Sequence, residues 1–361
     1  MLYPLGYNPS LDGLRAFAVL SVLLYHAKIA GFGWGWNGVD LFFVLSGFLI
    51  TGTLLLEIER DRSIDLWAFY RRRALRLFPA LILVCLAFLL LSAFTKVGLE
   101  RALVEVGIVA VYAGNWTRAF DQGIPGHLGH TWSLAIEEQY YLLWPLALIV
   151  LAPFSKYRRQ LMFAIVAFVL CVACWRAFLY LQGASTNRLY NGTDTRADAL
   201  LIGSALAFGI CADAVKVAVR LATQWLWLPA VATIIILPLA FGWDSATMLC
   251  GGYTLIAIAG AILVMATCAD GPVRSLLGMQ PLVWIGQRSY GLYLWSHLIV
   301  SACQDVFQLP AAVAGPISIV GAFICATVSY SLVERPFLRL RYPDRTSARA
   351  GVVGRASGGA G

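Results

Sequence analysis

The stretch LDGLRAFAVLSVLLYHA, residues 11–27, decides what this chain folds in. It is a continuous apolar run that carries an arginine and a histidine. It continues as a full membrane span, so no cleavable signal peptide is expected at this end. Around it, 60% of the 361 residues are hydrophobic and only 13% are charged; the mean hydropathy is +0.75. A soluble domain is about half apolar and about a quarter charged. Lipid, then, is the solvent for most of this surface.

The length admits about ten spans of roughly 20 residues. Apolar runs place them near 11–29, 38–57, 78–95, 131–152, 161–181, 197–213, 224–241, 247–268, 289–306 and 313–333. A further run at 102–113 is too short to cross a hydrocarbon core of about 30 Å. Charge placement decides how to treat it. With the N-terminus inside and 102–113 not crossing, the arginines from Arg60 to Arg76 fall on the inner side. Lys156, Arg158, Arg159, Lys216, Arg220, Arg274, Arg288 and the tail arginines fall there too. Only Lys28, Lys96, Arg101, Arg118, Arg188 and Arg196 then face outward, the bias expected of cytoplasmic loops. The expected fold is thus an all-α polytopic membrane protein of about ten transmembrane helices with both termini cytoplasmic. Residues 98–130 form a re-entrant hairpin dipping in from the outer face, tolerable where protein or a watery cavity shields its backbone. Residues 1–342 make the transmembrane domain, and 343–361, rich in Gly, Ala, Ser and Arg, are expected to be a disordered cytoplasmic tail.

The formal charge of +8 reads as loop bias. Nucleic-acid binding needs a basic solvated domain, and none is visible. The eight cysteines all lie in or at the ends of apolar segments and read as small hydrophobes. Cys171 and Cys174 form a lone C-x-x-C with no second pair for a metal. His127 and His130 lie in the hairpin with only Glu137 near them, too few ligands for a metal site.

Ionisable groups inside spans are costly and each needs a reason. Arg15 and His26 are eleven positions apart, about three helical turns, so they share one face with roughly 16 Å of rise between them. Arg15 lies towards the cytoplasmic boundary and His26 towards the outer one. A lone histidine on an apolar helix is commonly a packing residue; the aligned arginine favours chemistry, as does Asp40 opening the next span at the same level. A carboxylate beside an imidazole can fix its tautomer and stabilise its protonated form. Asp40 alternatively reads as a charge at a helix N-terminus. In GVDLFFVLSGFLIT (38–51), Gly38, Gly47 and Ser46 read as small residues for close helix contact.

In FYRRRALRLFP (69–79), either Arg72 and Arg76 or Arg73 and Arg76 share a helical face. They suit phosphate, which guanidinium groups bind in a two-pronged manner; setting topology and contacting anionic membrane lipids is the other reading. In HTWSLAIEEQYYLLWP (130–145), Ser133, Glu137 and Tyr141 recur every four residues as a polar stripe. Glu137 therefore needs a partner or a cavity, while Glu138 is expected to face a loop. Trp34, Trp36 and Trp116 are suited to stacking on sugar rings, although an interfacial aromatic belt explains them more readily.

Taken together these segments resemble the membrane-bound acyltransferase-3 family, whose bacterial members O-acylate glycans, antibiotics and lipid-linked sugars. The resemblance runs from residue 8 to about 340. LDGLRAFAVLSVLLYH is similar to the opening motif, GVDLFFVLSGFLIT to the second block, and RRALRLFP to an R-x-x-R-x-x-P block that selects Arg73 and Arg76. HTWSLAIEEQYYLLWP resembles W-S-L-x-x-E-x-x-Y, giving Trp132, Ser133, Glu137 and Tyr140 that block's roles. DTRADALLIG (194–203) and ERPFLRLR (334–341) also look like family segments. One departure occurs in SYGLYLWSHLI (289–299), where Ser296 stands at the expected histidine and His297 follows; His297 is then expected to be structural.

The resemblance implies a bacterial inner-membrane O-acyltransferase that binds no permanent cofactor and takes acyl-CoA, most commonly acetyl-CoA, from the cytoplasm. The acceptor is a hydroxyl of a glycan or another cell-envelope or secondary-metabolite molecule. Larger members carry an extracytoplasmic esterase-like domain; none is visible here, so a stand-alone enzyme is expected. On this reading Arg73 and Arg76 hold the CoA phosphates, Arg15 and Trp132 line the donor path, and His26, Asp40 and Glu137 form the catalytic set. His26 acts as general base or as a nucleophile through an acyl-histidine. A transporter or flippase is the competing class, since ten spans with intramembrane charges also suit a substrate path. It predicts two halves of related hydropathy, which the sequence does not display.

Overall fold

A computed structural model describes residues 7–94 and 97–340. Among the described residues the chain is helical throughout, with no strand. The first half contains α1 (Pro9–His26), α2 (Gly38–Asp61), α3 (Leu66–Ser92), α4 (Leu99–Ala110), α5 (Gly114–Ala119), α6 (Trp132–Leu151), α7 (Arg158–Leu181), α8 (Thr186–Asn191) and α9 (Thr193–Cys211). The second half contains α10 (Lys216–Leu221), α11 (Trp227–Phe241), α12 (Tyr253–Thr267), α13 (Pro272–Leu277), α14 (Gln280–Gln287), α15 (Ser289–Ser301), α16 (Ala311–Ser329) and α17 (Arg335–Arg339). The expected tail at 343–361 lies outside the described residues.

The starts of the site-bearing helices follow local chemistry. Asn8 caps α1, its side-chain oxygen accepting from the Ser10 amide, and Pro9 occupies the first helical turn, where its missing N–H costs nothing. Asp65 caps α3 by accepting from the Ala68 amide at 2.9 Å. Arg62 ends α2 in a left-handed conformation, φ 58°.

Among the described residues, seven helical stretches are long and apolar enough to cross a membrane: Gly35–Asp61, Leu66–Ser92, Gly129–Phe154, Arg158–Leu181, Lys216–Phe241, Met248–Thr267 and Ala312–Arg339. The remaining expected spans correspond to α1, α9 and α15. Their polarity sets them apart: Asp12, Arg15 and His26 lie in α1, and Asp194, Arg196 and Asp198 in α9. Both helices are largely buried by their neighbours, so protein rather than lipid meets those groups. The peripheral helices show the reverse. α3, α7 and α11 expose Leu86, Leu90, Phe163, Phe168, Ile236 and Leu239, the apolar faces that lipid requires. The protein is a multi-pass membrane protein.

α2 and α9 approach most intimately, and glycine makes this possible. A Cβ at Gly47 would lie 1.8 Å from the Leu200 carbonyl oxygen, and one at Gly203 would lie 2.1 Å from that of Val44. The small-residue reading of this segment is therefore correct for Gly47. In the 98–130 segment, α4 has 12 residues and ends at Ala110. It lays Ala102 and Val109 against Leu81, Val84 and Phe88 of α3.

Candidate active site

Three cavities follow one another through the bundle. The first, about 1040 Å³, is lined by Tyr7, Asp12, Arg15, Leu49, Arg76, Gln287, Tyr290 and Glu334 among others. The second, about 670 Å³, shares Arg15, Leu49, Arg76 and Tyr290 with it and adds Ser46, Arg73, Ser133, Glu137 and Tyr141. The third, about 970 Å³, shares Val39 and Tyr293 with the second and is lined by His26, His130, His297, Trp36, Trp132, Trp243, Tyr190 and Arg118. The Arg15–His26 face of α1 thus has a cavity at each end.

At the arginine end stand Arg15, Arg73 and Arg76. Arg73 and Arg76 both line the second cavity, whereas Arg72 pairs with Glu57 at 3.3 Å. Arg73 lies over the rings of Tyr141 and Phe69, 5.2 and 5.8 Å from their centroids. Arg15 pairs with Asp12 one turn earlier at 3.2 Å.

The α6 stripe lines the same space. Ser46 of α2 donates to Glu137 Oε1 at 3.0 Å, and the Tyr141 hydroxyl lies 2.9 Å from Ser46 Oγ and 3.1 Å from Glu137 Oε2. Ser46, read from sequence as a packing residue, is instead the partner that helps Glu137 tolerate this depth. Ser133 Oγ is 2.7 Å from the Tyr293 hydroxyl, which also lies 2.6 Å from the His130 carbonyl oxygen. Of this pair, Tyr293 lines both the second and the third cavity, and Ser133 the second. Tyr140, to which the motif assigns a role, turns away from the cavities; its hydroxyl meets Ser204 at 2.8 Å and Thr51 at 3.2 Å, tying α6 to α9 and α2. Glu138 does not face a loop but is half-buried, close enough to Arg73 for their charges to interact.

At the histidine end, several expectations need correction. Asp40 does not orient His26. Its carboxylate is fully buried against Arg196, Oδ1 to Nη2 at 2.7 Å, and Arg196 lies 3.9 Å from the Tyr253 ring centroid. Arg196 is therefore an interior ion-pair partner and not an outward loop charge. Arg176 and Asp198 form a second buried pair at 2.9 Å, so interior ion pairs join α9 to both α2 and α7.

His297, expected to be structural, lines the third cavity with His26. Its ring centroid is 5.3 Å from that of His26 and 5.0 Å from that of His130. Buried ring nitrogens without a hydrogen-bond partner occur on all three: Nδ1 of His26 and His297, and both nitrogens of His130. Trp132, expected on the donor path, stands in the third cavity, 4.8 Å from Tyr190 and edge-on to Phe43. Trp34 and Trp36 are buried in protein and so are not a lipid-facing belt; Trp36 lines the third cavity.

A family model described as an acyltransferase domain matches residues 8–333, nearly the whole described chain. The chain belongs to the acyltransferase-3 family. Among its relatives, the peptidoglycan O-acetyltransferase OatA of Listeria monocytogenes is 36% identical over 349 residues, covering 92% of this chain and 56% of the relative. The putative peptidoglycan O-acetyltransferase YrhL of Bacillus subtilis is 36% identical, with 91% and 55% covered. The O-acetyltransferase OatA of Staphylococcus aureus is 33% identical, with 93% and 58% covered. This acyltransferase-3 chain thus spans a little over half the length of the curated relatives it matches. No solved structure matches it.

Proposed function

We propose that this chain is a membrane O-acyltransferase that moves an acyl group, acetyl first among candidates, from acyl-CoA to a hydroxyl of a cell-envelope glycan. The observation that carries this is the run of three cavities from Arg15 and Arg76 to His26, joined through shared lining residues. A donor with a phosphorylated head and a long thin arm suits such a path. Arg73 and Arg76 meet the phosphates, and the pantetheine arm passes Glu137 and Tyr293. The thioester stops at the histidine cavity, where the glycan enters from the opposite side. The names of the relatives favour a peptidoglycan acceptor.

The chemistry assigned to His26 is general base catalysis. The imidazole takes the proton of the acceptor hydroxyl, the oxygen forms a C–O bond to the acyl carbonyl carbon, and the C–S bond breaks. The imidazolium proton then goes to the departing CoA sulfur. An imidazole near neutral pH suits both transfers. The topology that goes with this reading has ten spans, counting α1, α9 and α15, with both termini in the cytoplasm and 98–130 re-entrant from outside.

His26→Ala tests the assignment. In detergent or nanodiscs, transfer of labelled acetyl from acetyl-CoA should fall by about 10²–10⁴-fold, with the variant eluting as a monodisperse protein. Undiminished transfer by a folded His26→Ala variant refutes the base role.

A further inference from the structure

The third cavity presents a second imidazole that the proposed reaction has not used. His26 comes from α1 and His297 from α15; their ring centroids stand 5.3 Å apart with the planes at 60°, and both rings line the cavity. On both, Nδ1 is buried and without a hydrogen-bond partner. Nε2 is therefore the nitrogen that a bound molecule reaches. A neutral imidazole offers such a nitrogen either as a lone pair or as an N–H. With two rings side by side, the site can offer one of each.

The surroundings keep the resting rings neutral. The ionisable groups lining the cavity are Arg118, the three histidines, Tyr25, Tyr190 and Tyr293; among the described residues no Asp or Glu lines it. The one fixed charge is thus itself a cation, and nothing there offsets the cost of a buried imidazolium.

Position along α15 separates the roles of the two rings. Tyr293 lines both the second and the third cavity, so the acyl end of the donor passes it on the proposed route. Its own hydroxyl is already engaged, donating to the His130 carbonyl oxygen at 2.6 Å and meeting Ser133 Oγ at 2.7 Å. His297 follows it by four positions, on the same helical face. It stands one turn beyond the donor's entry, where the thioester carbonyl arrives.

Resting on the acyl-transfer reading, we infer that His297 is a catalytic residue: its neutral imidazole donates Nε2–H to the thioester carbonyl oxygen while His26 takes the acceptor's proton. As the acceptor oxygen bonds to the carbonyl carbon, the C=O π pair moves onto the carbonyl oxygen, and the His297 N–H holds that oxyanion. The pair then reforms C=O as the C–S bond breaks, and the sulfur leaves with the proton carried by His26. His297 neither gains nor loses a proton over the cycle. A preorganised donor aimed at a developing oxyanion contributes about 10²–10³-fold to kcat.

The test follows transfer of labelled acetyl from acetyl-CoA to a soluble peptidoglycan fragment by the purified full chain. His297→Ala should lower kcat by about 10²–10³-fold. Either KM should change little, since the hydrogen bond strengthens as charge develops on the oxygen. The acid limb of the pH–rate profile should persist in that variant, because His26 remains the base. Wild-type kcat in His297→Ala overturns the inference, and so does a loss carried by KM. Disappearance of the acid limb also overturns it, because His297 would then be the base. Infrared spectroscopy gives a reading independent of turnover. An acetyl-CoA analogue with CH2 in place of the thioester sulfur and an isotope-labelled carbonyl should show its C=O stretch lowered on binding to wild type, and restored in His297→Ala. A band at the free analogue's position in wild type overturns the inference, even should His297→Ala not fold. A wild type that transfers no acetyl refutes acyl transfer and the inference with it; an active wild type with an unimpaired His297→Ala refutes the inference alone.

Discussion

At the scale of single residues, position on a helix face matters more than residue type. Arg72, Arg73 and Arg76 are chemically identical, yet only Arg73 and Arg76 line the cavity, while Arg72 is paired with Glu57. Arg76→Ala should therefore raise the KM for acetyl-CoA by about ten- to a hundred-fold, the loss of one charge-assisted phosphate contact, with a smaller effect on the acceptor KM. Arg72→Ala should leave the donor KM near that of wild type. Equal effects of the two substitutions, measured by steady-state kinetics, contradict the placement. His26 and Glu137 stand out in the sequence because an ionisable group inside an apolar run demands a partner. His297 was not, because its family pattern points to position 296, and one residue of shift rotates a side chain by about 100°. Only the packing of α15 against its neighbours decides which of Ser296 and His297 faces the cavity; Ser296 turns its hydroxyl to the Tyr293 carbonyl, and His297 takes the chamber.

Among the helices, the α2–α9 contact fixes the site's frame. The glycines that allow it, and the Asp40–Arg196 pair that seals it, join positions far apart in sequence. Asp40 and Arg196 are separated by 156 positions, which is why a reading of neighbouring residues assigned Asp40 to His26. Arg196→Ala should cost about 3–5 kcal/mol, because it leaves a buried carboxylate unpaired. The joint replacement Asp40→Leu with Arg196→Met should cost less than Arg196→Ala. Thermal unfolding in detergent measures both, and a double variant less stable than the single one contradicts a purely structural role for the pair. The apolar runs, by contrast, located the elements: every expected span overlaps a described helix, although α3 already begins at Leu66, well before the apolar run at 78. What hydropathy alone underrates is α1 and α9, whose charges are affordable only because neighbouring helices enclose them.

Across the whole molecule, the three cavities share lining residues in series, and the end ones carry different chemistry, arginines at one and imidazoles with aromatic walls at the other. The topology proposed for it makes a direct prediction. Single cysteines placed at Trp67 and at Gly183, in a background with the native cysteines replaced, should label from opposite sides of intact cells, Gly183 from outside. Labelling of both from the same side contradicts ten spans with an inner N-terminus. The decisive measurement is a structure of the chain bound to a non-hydrolysable acetyl-CoA analogue. The account predicts the nucleotide phosphates at Arg73 and Arg76 and the thioester position within hydrogen-bonding reach, about 3 Å, of the His26 ring. An analogue whose sulfur lies outside the histidine chamber contradicts it.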